Sequence, residues 1–212
     1  MRHENRPSPP WITAVLALTV VCLMPARAVR ADATASQGPG LYLARPAKDG
    51  HDALVKLRAT MPQMRQKGLA KAMLTGGLSK PSMLATLDGA QSPLRVATAS
   101  PSFYFDLTSA SGGGGIEDAM RMIGGDGPPP NARNASEFVL VRFDTRGGKR
   151  ELKVPTGPHA RPKDAVGFAV ERVGDWKFRV SPQAPLSPGE YAFYWGGNGF
   201  GGMLWDFGVD RQ

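Results

Sequence analysis

What most constrains this chain is its punctuation. From Gly40 onward, short apolar or alternating runs are cut off about every 8 to 15 residues by Gly, Pro or Asp-Gly, a spacing that leaves room for strands and little for helices. The runs are Leu41–Leu43, Ala53–Leu57, Ser82–Leu87, Leu94–Thr98, Ser102–Leu107, Glu137–Phe143, Arg150–Val154, Val166–Val173, Trp176–Val180, Glu190–Trp195 and Leu204–Val209. Trp176, Phe178 and Val180 alternate with Lys177 and Arg179, the period-2 pattern of a half-buried strand. The turn residues of 46–52 suggest a first hairpin and Gly174-Asp175 a later one, while Asp144–Gly148 should turn Glu137–Phe143 back into Arg150–Val154.

Two stretches break the pattern. Met61–Leu74 is rich in helix formers, but Gly68 interrupts it, so a helix and a long β-hairpin arm are both open. Residues 108–135 are rich in Gly, Pro and Ser and read as a flexible excursion, with a two-turn helix expected at Ile116–Ile123. The expected fold is therefore all-β: a Greek-key-like β-sandwich with one or two short helices and a Gly/Pro-rich insertion.

The first 28 residues have the parts of a secretory signal peptide: Arg2 and Arg6, an apolar run from Trp11 to Met24, and small residues at Ala26 and Ala28. Cleavage is expected after Ala28, or after Ala33 at a second small-x-small site. The run is shorter than the roughly 20 residues that span a bilayer as a helix. No twin-arginine pair precedes it, which favours the general secretory route. Residues 29–39 then form a flexible mature start, and 40–212 form one domain. The sole cysteine, Cys22, lies in the leader, and Thr19 and Val21 before it do not suit lipidation. Cleavage would thus exclude disulfides, thiolate catalysis and cysteine-held metals from the mature chain. The leader carries Arg2, Arg6 and Arg27 against Glu4, so its loss lowers the net charge of +8 by two. The remaining cations are scattered rather than run together, so no nucleic-acid partner is expected.

Leu186-Ser187-Pro188-Gly189-Glu190-Tyr191 is the most specific motif: a turn-forming Pro-Gly followed by a Tyr at a strand entry, as in the tyrosine corner of β-sandwiches. Pro188, Gly189 and Tyr191 are accordingly assigned structural roles. Together with Gly40-Leu41-Tyr42, Pro101–Phe105 and Asp206–Asp210, this motif resembles a family of small bacterial exported β-rich proteins, a domain of unknown function. The resemblance implies a periplasmic or surface β-domain and no activity.

The remaining motifs point away from a catalytic centre. Gly197–Gly202 matches G-x-G-x-x-G, but a strand, not a helix, is expected after it, so no pyrophosphate site forms. His51 and His159 sit in turns without acids at ligand spacing. Asn134-Ala135-Ser136 is a chance glycosylation sequon. Among the carboxylates, Glu117, Asp118, Asp126, Glu137, Asp144, Glu151, Glu171, Asp175, Glu190 and Asp206 offer a glycosidase-type pair only if the fold brings two together across a cleft. No catalytic residue, metal or cofactor is assigned. Trp195, Phe200 and Trp205 around the glycine loop are the candidate ligand-stacking residues, with a core role for the two tryptophans as the alternative. The expected function is a non-catalytic periplasmic or surface binding or scaffolding module whose partner is an envelope protein or polysaccharide. The alternative is an envelope-polymer hydrolase using a carboxylate pair.

Overall fold

A computed structural model of the chain describes residues 38–46, 52–76, 78, 82–108, 127–129, 132–154, 162–196 and 202–211. The expected leader, the Ile116–Ile123 helix, His51, His159 and Phe200 lie outside the described residues. In chain order the elements are β1 (Gly40–Pro46), β2 (Asp52–Lys56), β3 (Ala59–Thr60), β4 (Gln63–Lys67), α1 (Leu69–Leu74), β5 (Ser82–Asp88), β6 (Arg95–Val96) and β7 (Ser102–Asp106). After a 3-10 turn at Ala135–Glu137 come β8 (Val139–Arg142), β9 (Asp144–Arg146), β10 (Lys149–Val154), β11 (Ala165–Val166), β12 (Phe168–Gly174), β13 (Lys177–Pro182), β14 (Gly189–Trp195) and β15 (Met203–Val209).

The fold is all-β, a sandwich with a third layer. Sheet A has the order β12-β13-β7-β1-β2, sheet B the order β11-β8-β14-β15-β3, and sheet C the order β4-β5-β10-β9. Neighbours in these orders run antiparallel; β6 adds a short parallel pairing to β15. Sheet B lies in the middle. Its residues Leu140, Tyr191, Phe193, Trp205 and Phe207 pack with Leu41, Leu43, Phe103 and Phe105 of sheet A. Its alternate residues Val141, Ala192 and Leu204 pack with Ala85, Leu87, Leu152 and Val154 of sheet C. This explains the near-continuous burial of β14 and β15, since a strand covered on both faces cannot alternate apolar with polar. The A–B core is aromatic: Phe193 meets Phe103 and Phe105 edge-on at 4.8 and 4.9 Å, the arrangement the ring quadrupoles favour.

Three sequence expectations change in detail. Met61–Leu74 is both of the open alternatives in succession: β4, then α1, divided at Gly68, whose φ of +84° suits glycine alone. The hairpin expected between Glu137–Phe143 and Arg150–Val154 does not form. Phe143 buries between sheets B and C, the chain changes sheet there, and the hairpin is β9–β10 around Gly147-Gly148, both at positive φ. The later hairpin, β12–β13, turns at Asp175-Trp176 rather than Gly174-Asp175, and Trp176 takes a φ of +60°.

Candidate functional site

The middle sheet must present polar residues at its ends, and there the chain builds a charged seam on the face toward sheet C. Glu190 is buried. Its Oε2 accepts the Ser92 backbone N–H at 2.7 Å and its Oε1 the Arg95 guanidinium at 2.5 Å. Arg95 reaches Glu190 by crossing β15 at Gly208, where an added Cβ would collide with the guanidinium and stand 2.9 Å from Glu190 Oε1. The same guanidinium donates to Asp210 Oδ1 at 2.6 and 3.0 Å. Burial alone would lower the Arg95 pKa, but the hydrogen bonds to Asp210 and Glu190 outweigh it and raise it. Beside this network Arg150 of β10 forms a buried ion pair with Asp206 of β15 and donates to the carbonyls of Gly89 (3.1 Å) and Asp88 (3.2 Å). The pair ties sheet C to sheet B.

A cleft of about 610 Å³ opens at the end of this seam, lined by Arg142, Phe143, Asp144, Thr145, Asp164–Val166, Gly189 and Glu190. Backbone bonds frame it: Arg142 N–H donates to Asp164 O (3.0 Å), and Phe143 N–H to Glu190 O (2.9 Å). Arg142 lies across Gly189, where a Cβ would stand 3.1 Å from its Nε. Its Nη2 donates to Pro188 O at 3.0 Å, and its guanidinium sits 5.9 Å from the Tyr191 ring centroid, a cation–π distance. Two of the cleft's charged groups are thus already engaged: Glu190 by Arg95 and Ser92, Arg142 by the turn. Asp144 and Asp164 are exposed at the rim and form no ion pair among the described residues. With Phe143 and Val166 as apolar wall, the cleft suits a ligand carrying hydroxyls or a positive charge beside an apolar face.

The structural residues of the sequence reading frame this cleft. Tyr191 is buried, stacks on Phe207 and donates its hydroxyl hydrogen to Ser187 O at 2.7 Å, the geometry of a tyrosine corner. Burial raises its pKa, against a smaller lowering by Arg142. Of the three stacking candidates, the described residues include the two tryptophans. Trp205 is 1% exposed and meets Phe138 edge-on in the A–B core, so its role is packing, not ligand stacking. Trp195 is half-buried against the same core, and Phe200 lies outside the described residues. The ends of the glycine loop have a packing reason as well, because a Cβ at Gly196 or Gly202 would collide with the Tyr194 ring.

Five of the seven candidate carboxylates among the described residues have partners. Glu190 and Asp206 are held by arginines; Glu171 lies 3.9 Å from Arg179, and Asp175 3.0 Å from Arg172. Glu137 accepts the N–H groups of Arg133 and Asn134 while Asn134 Oδ1 accepts Ser136 N–H, so the sequon residues form a capping box. Glu117, Asp118 and Asp126 lie outside the described residues. Asp144 lines the cleft, is exposed and makes no ion pair among the described residues.

A second corner, not expected from the sequence, stands at Tyr42. The Tyr42 hydroxyl donates to Gly38 O at 2.7 Å, four residues back, as Tyr191 does to Ser187. The signal was a repeated tetrapeptide, Pro39-Gly40-Leu41-Tyr42 and Pro188-Gly189-Glu190-Tyr191. The likeness extends across the strands. Lys56 is paired with Tyr42 and its side chain lies against Gly40, as Arg142 is paired with Tyr191 and lies against Gly189. Leu57 N–H donates to Leu41 O, as Phe143 N–H does to Glu190 O. The position that differs carries the chemistry: Leu41 packs into the A–B core, whereas Glu190 anchors the charged seam.

Among the described residues no three His, Cys, Asp or Glu side chains form a group that could hold a metal ion, and no helix is long and apolar enough to cross a membrane. Comparison of the chain with protein-family models, with curated proteins and with solved structures finds no match.

Proposed function

We propose that the chain is an exported envelope protein acting as a non-catalytic binding or scaffolding module, with the cleft beside Tyr191 as its ligand site. The observation that carries this reading is the division of labour among the carboxylates. Buried Glu190, Asp206 and Asp106 are each held by a cation or an N–H, whereas Asp144 and Asp164, at the cleft rim, make no ion pair among the described residues. Fixed buried charges build a rigid frame, and rim carboxylates beside Phe143 and Val166 are available to hydroxyls or cations of a ligand. The leader supports export, and the resemblance to bacterial exported β-proteins supports an envelope location.

The hydrolase reading stays as the second one, because Asp144 and Asp164 line the same cleft. One experiment separates the two. Purified protein is incubated with insoluble peptidoglycan and with envelope polysaccharide. Retention on the polymer without soluble fragments, weakened by Asp144→Asn with Asp164→Asn, is the expected result. Release of new reducing ends, abolished by either substitution, would establish the hydrolase instead. Absence of both retention and release would overturn the cleft as an envelope-polymer site.

A further inference from the structure

The strands β4 and β5 are joined by α1 and the turn after it, which together form a tip beyond sheet C. At this tip Met73, Leu74 and Leu78 are 74%, 89% and 91% exposed. The described residues show no other exposed cluster of large apolar side chains; Met61 stands at the far end of β4 and Val170 on β12. The turn is ordered by its own backbone bonds, Gly76 N–H to Met73 O and Leu78 N–H to Thr75 O. Three large apolar side chains are therefore held in water by a defined turn, which is costly unless something covers them.

Charge indicates what covers them. Between Asp52 and Asp88 the sequence holds Lys56, Arg58, Arg65, Lys67, Lys71 and Lys80 and no acidic residue. On sheet C the row nearest the tip is Lys67–Ser82, and the next but one is Arg65–Leu84–Lys153. Arg65, Lys67 and Lys153 are exposed and make no ion pair among the described residues. Of the acids of this sheet, Asp88 lies at the opposite end of its strands, and Glu151 and Asp144 stand in the next row on the same face, farther from the tip than Arg65 and Lys153. Apolar side chains at an extremity, with a collar of cations that make no ion pair among the described residues behind them and the acids farther back, match a bilayer surface: an apolar interior beneath anionic headgroups. An apolar protein groove would not need the cationic collar, and a second copy of this tip would repel it.

We propose that the α1 tip docks on anionic lipid bilayers, with Met73, Leu74 and Leu78 entering the interface and Arg65, Lys67 and Lys153 meeting the phosphates. This is independent of what the cleft binds. The test keeps the full chain and reads the tip alone, so that the apolar leader does not obscure it. Cys22→Ser removes the one native thiol, and Leu74→Cys carries a polarity-sensitive fluorophore; Asp175→Cys, in the exposed β12–β13 turn, is the control. Vesicles of equal phosphatidylcholine and phosphatidylglycerol should shift the emission at position 74 to the blue, with no shift at 175 and little with phosphatidylcholine alone. Arg65→Gln, Lys67→Gln and Lys153→Gln together should raise the lipid concentration for half-maximal shift by about a hundredfold, since each cation near such a surface is worth ~1 kcal/mol. Met73→Ser with Leu78→Ser should raise it at least about tenfold. An unchanged emission at 74, an equal shift at 175, or a shift that depends on protein concentration without lipid would overturn the proposal; the last would assign the tip to self-association. A shift with acidic polypeptide but not with vesicles would overturn it in favour of a protein partner.

Discussion

Tyr42 and Tyr191 close the same corner in two different sheets, each giving its hydroxyl hydrogen to the carbonyl four residues back at 2.7 Å. Both follow Pro-Gly-x, and both stand on the middle of their sheet's five-strand order or next to it, β1 in sheet A and β14 in sheet B. The corner therefore fixes the entry of two inner strands rather than decorating one turn. Tyr191→Phe and Tyr42→Phe should each lower the unfolding free energy by about 1 kcal/mol or somewhat more, the net worth of a hydrogen bond whose acceptor is left part-buried. Urea midpoints check this. An unchanged midpoint for either variant would remove the structural role of that hydroxyl.

The Arg150–Asp206 pair predicts an asymmetry between single and double substitution. Removing one partner leaves a buried charge without compensation, so Arg150→Met or Asp206→Asn should cost roughly 3–5 kcal/mol. Replacing both by apolar residues of similar volume should cost clearly less than the sum. A double-mutant cycle in urea measures the coupling, and additive single effects would contradict a pair that acts as a unit.

Gly208 is predicted to be intolerant for a reason outside its own backbone. Gly208→Ala should push Arg95 off β15, separate it from Glu190 and cost about 2 kcal/mol or more. Arg95→Ala removes both the ion pair and the obstacle. Once it is in place, adding Gly208→Ala should cost much less. If the alanine is as harmful in the Arg95→Ala background as in the wild type, the guanidinium does not set the glycine requirement.

The tyrosines predict the alkaline limb of stability. All four in the chain, Tyr42, Tyr104, Tyr191 and Tyr194, have pKa values raised above the usual 10.0, chiefly by burial, with the Asp106 charge adding to the rise at Tyr42 and Tyr104. Above pH 10 the unfolded chain releases phenolic protons that the folded chain keeps, so stability is complete below the unfolded pKa and falls as pH rises through the folded values. Tyrosinate absorbance should therefore rise together with loss of the fold. A full tyrosinate signal near pH 10 with the fold intact would contradict this.

Legibility followed the range of the interactions. The strand runs could be read because period-2 patterning and Gly/Pro punctuation are local: β1, β2, β5, β7, β12, β13, β14 and β15 all fall on expected runs. The Tyr191 motif could be read for the same reason, since its donor and acceptor are four residues apart. The third layer could not be read. Whether Phe143 ends a hairpin or carries the chain into another sheet depends on its burial against Leu152 and Leu204, which no local pattern encodes. The seam was hidden because its members are far apart: Arg95 and Glu190 are 95 residues apart, and Arg150 and Asp206 are 56.

Neighbouring residues are enough to show that this chain forms strands, on which runs many of them lie, and that a tyrosine closes the entry to β14. It takes the stacked sheets to make Glu190, second from the end of Pro-Gly-Glu-Tyr, a buried anion held by Arg95 across Gly208, to bury Trp205 in the core, and to bring Asp144 and Asp164 to one cleft. Each of these turns on which faces of three stacked sheets meet. That is set by long-range packing, which cannot be read from the residues one at a time.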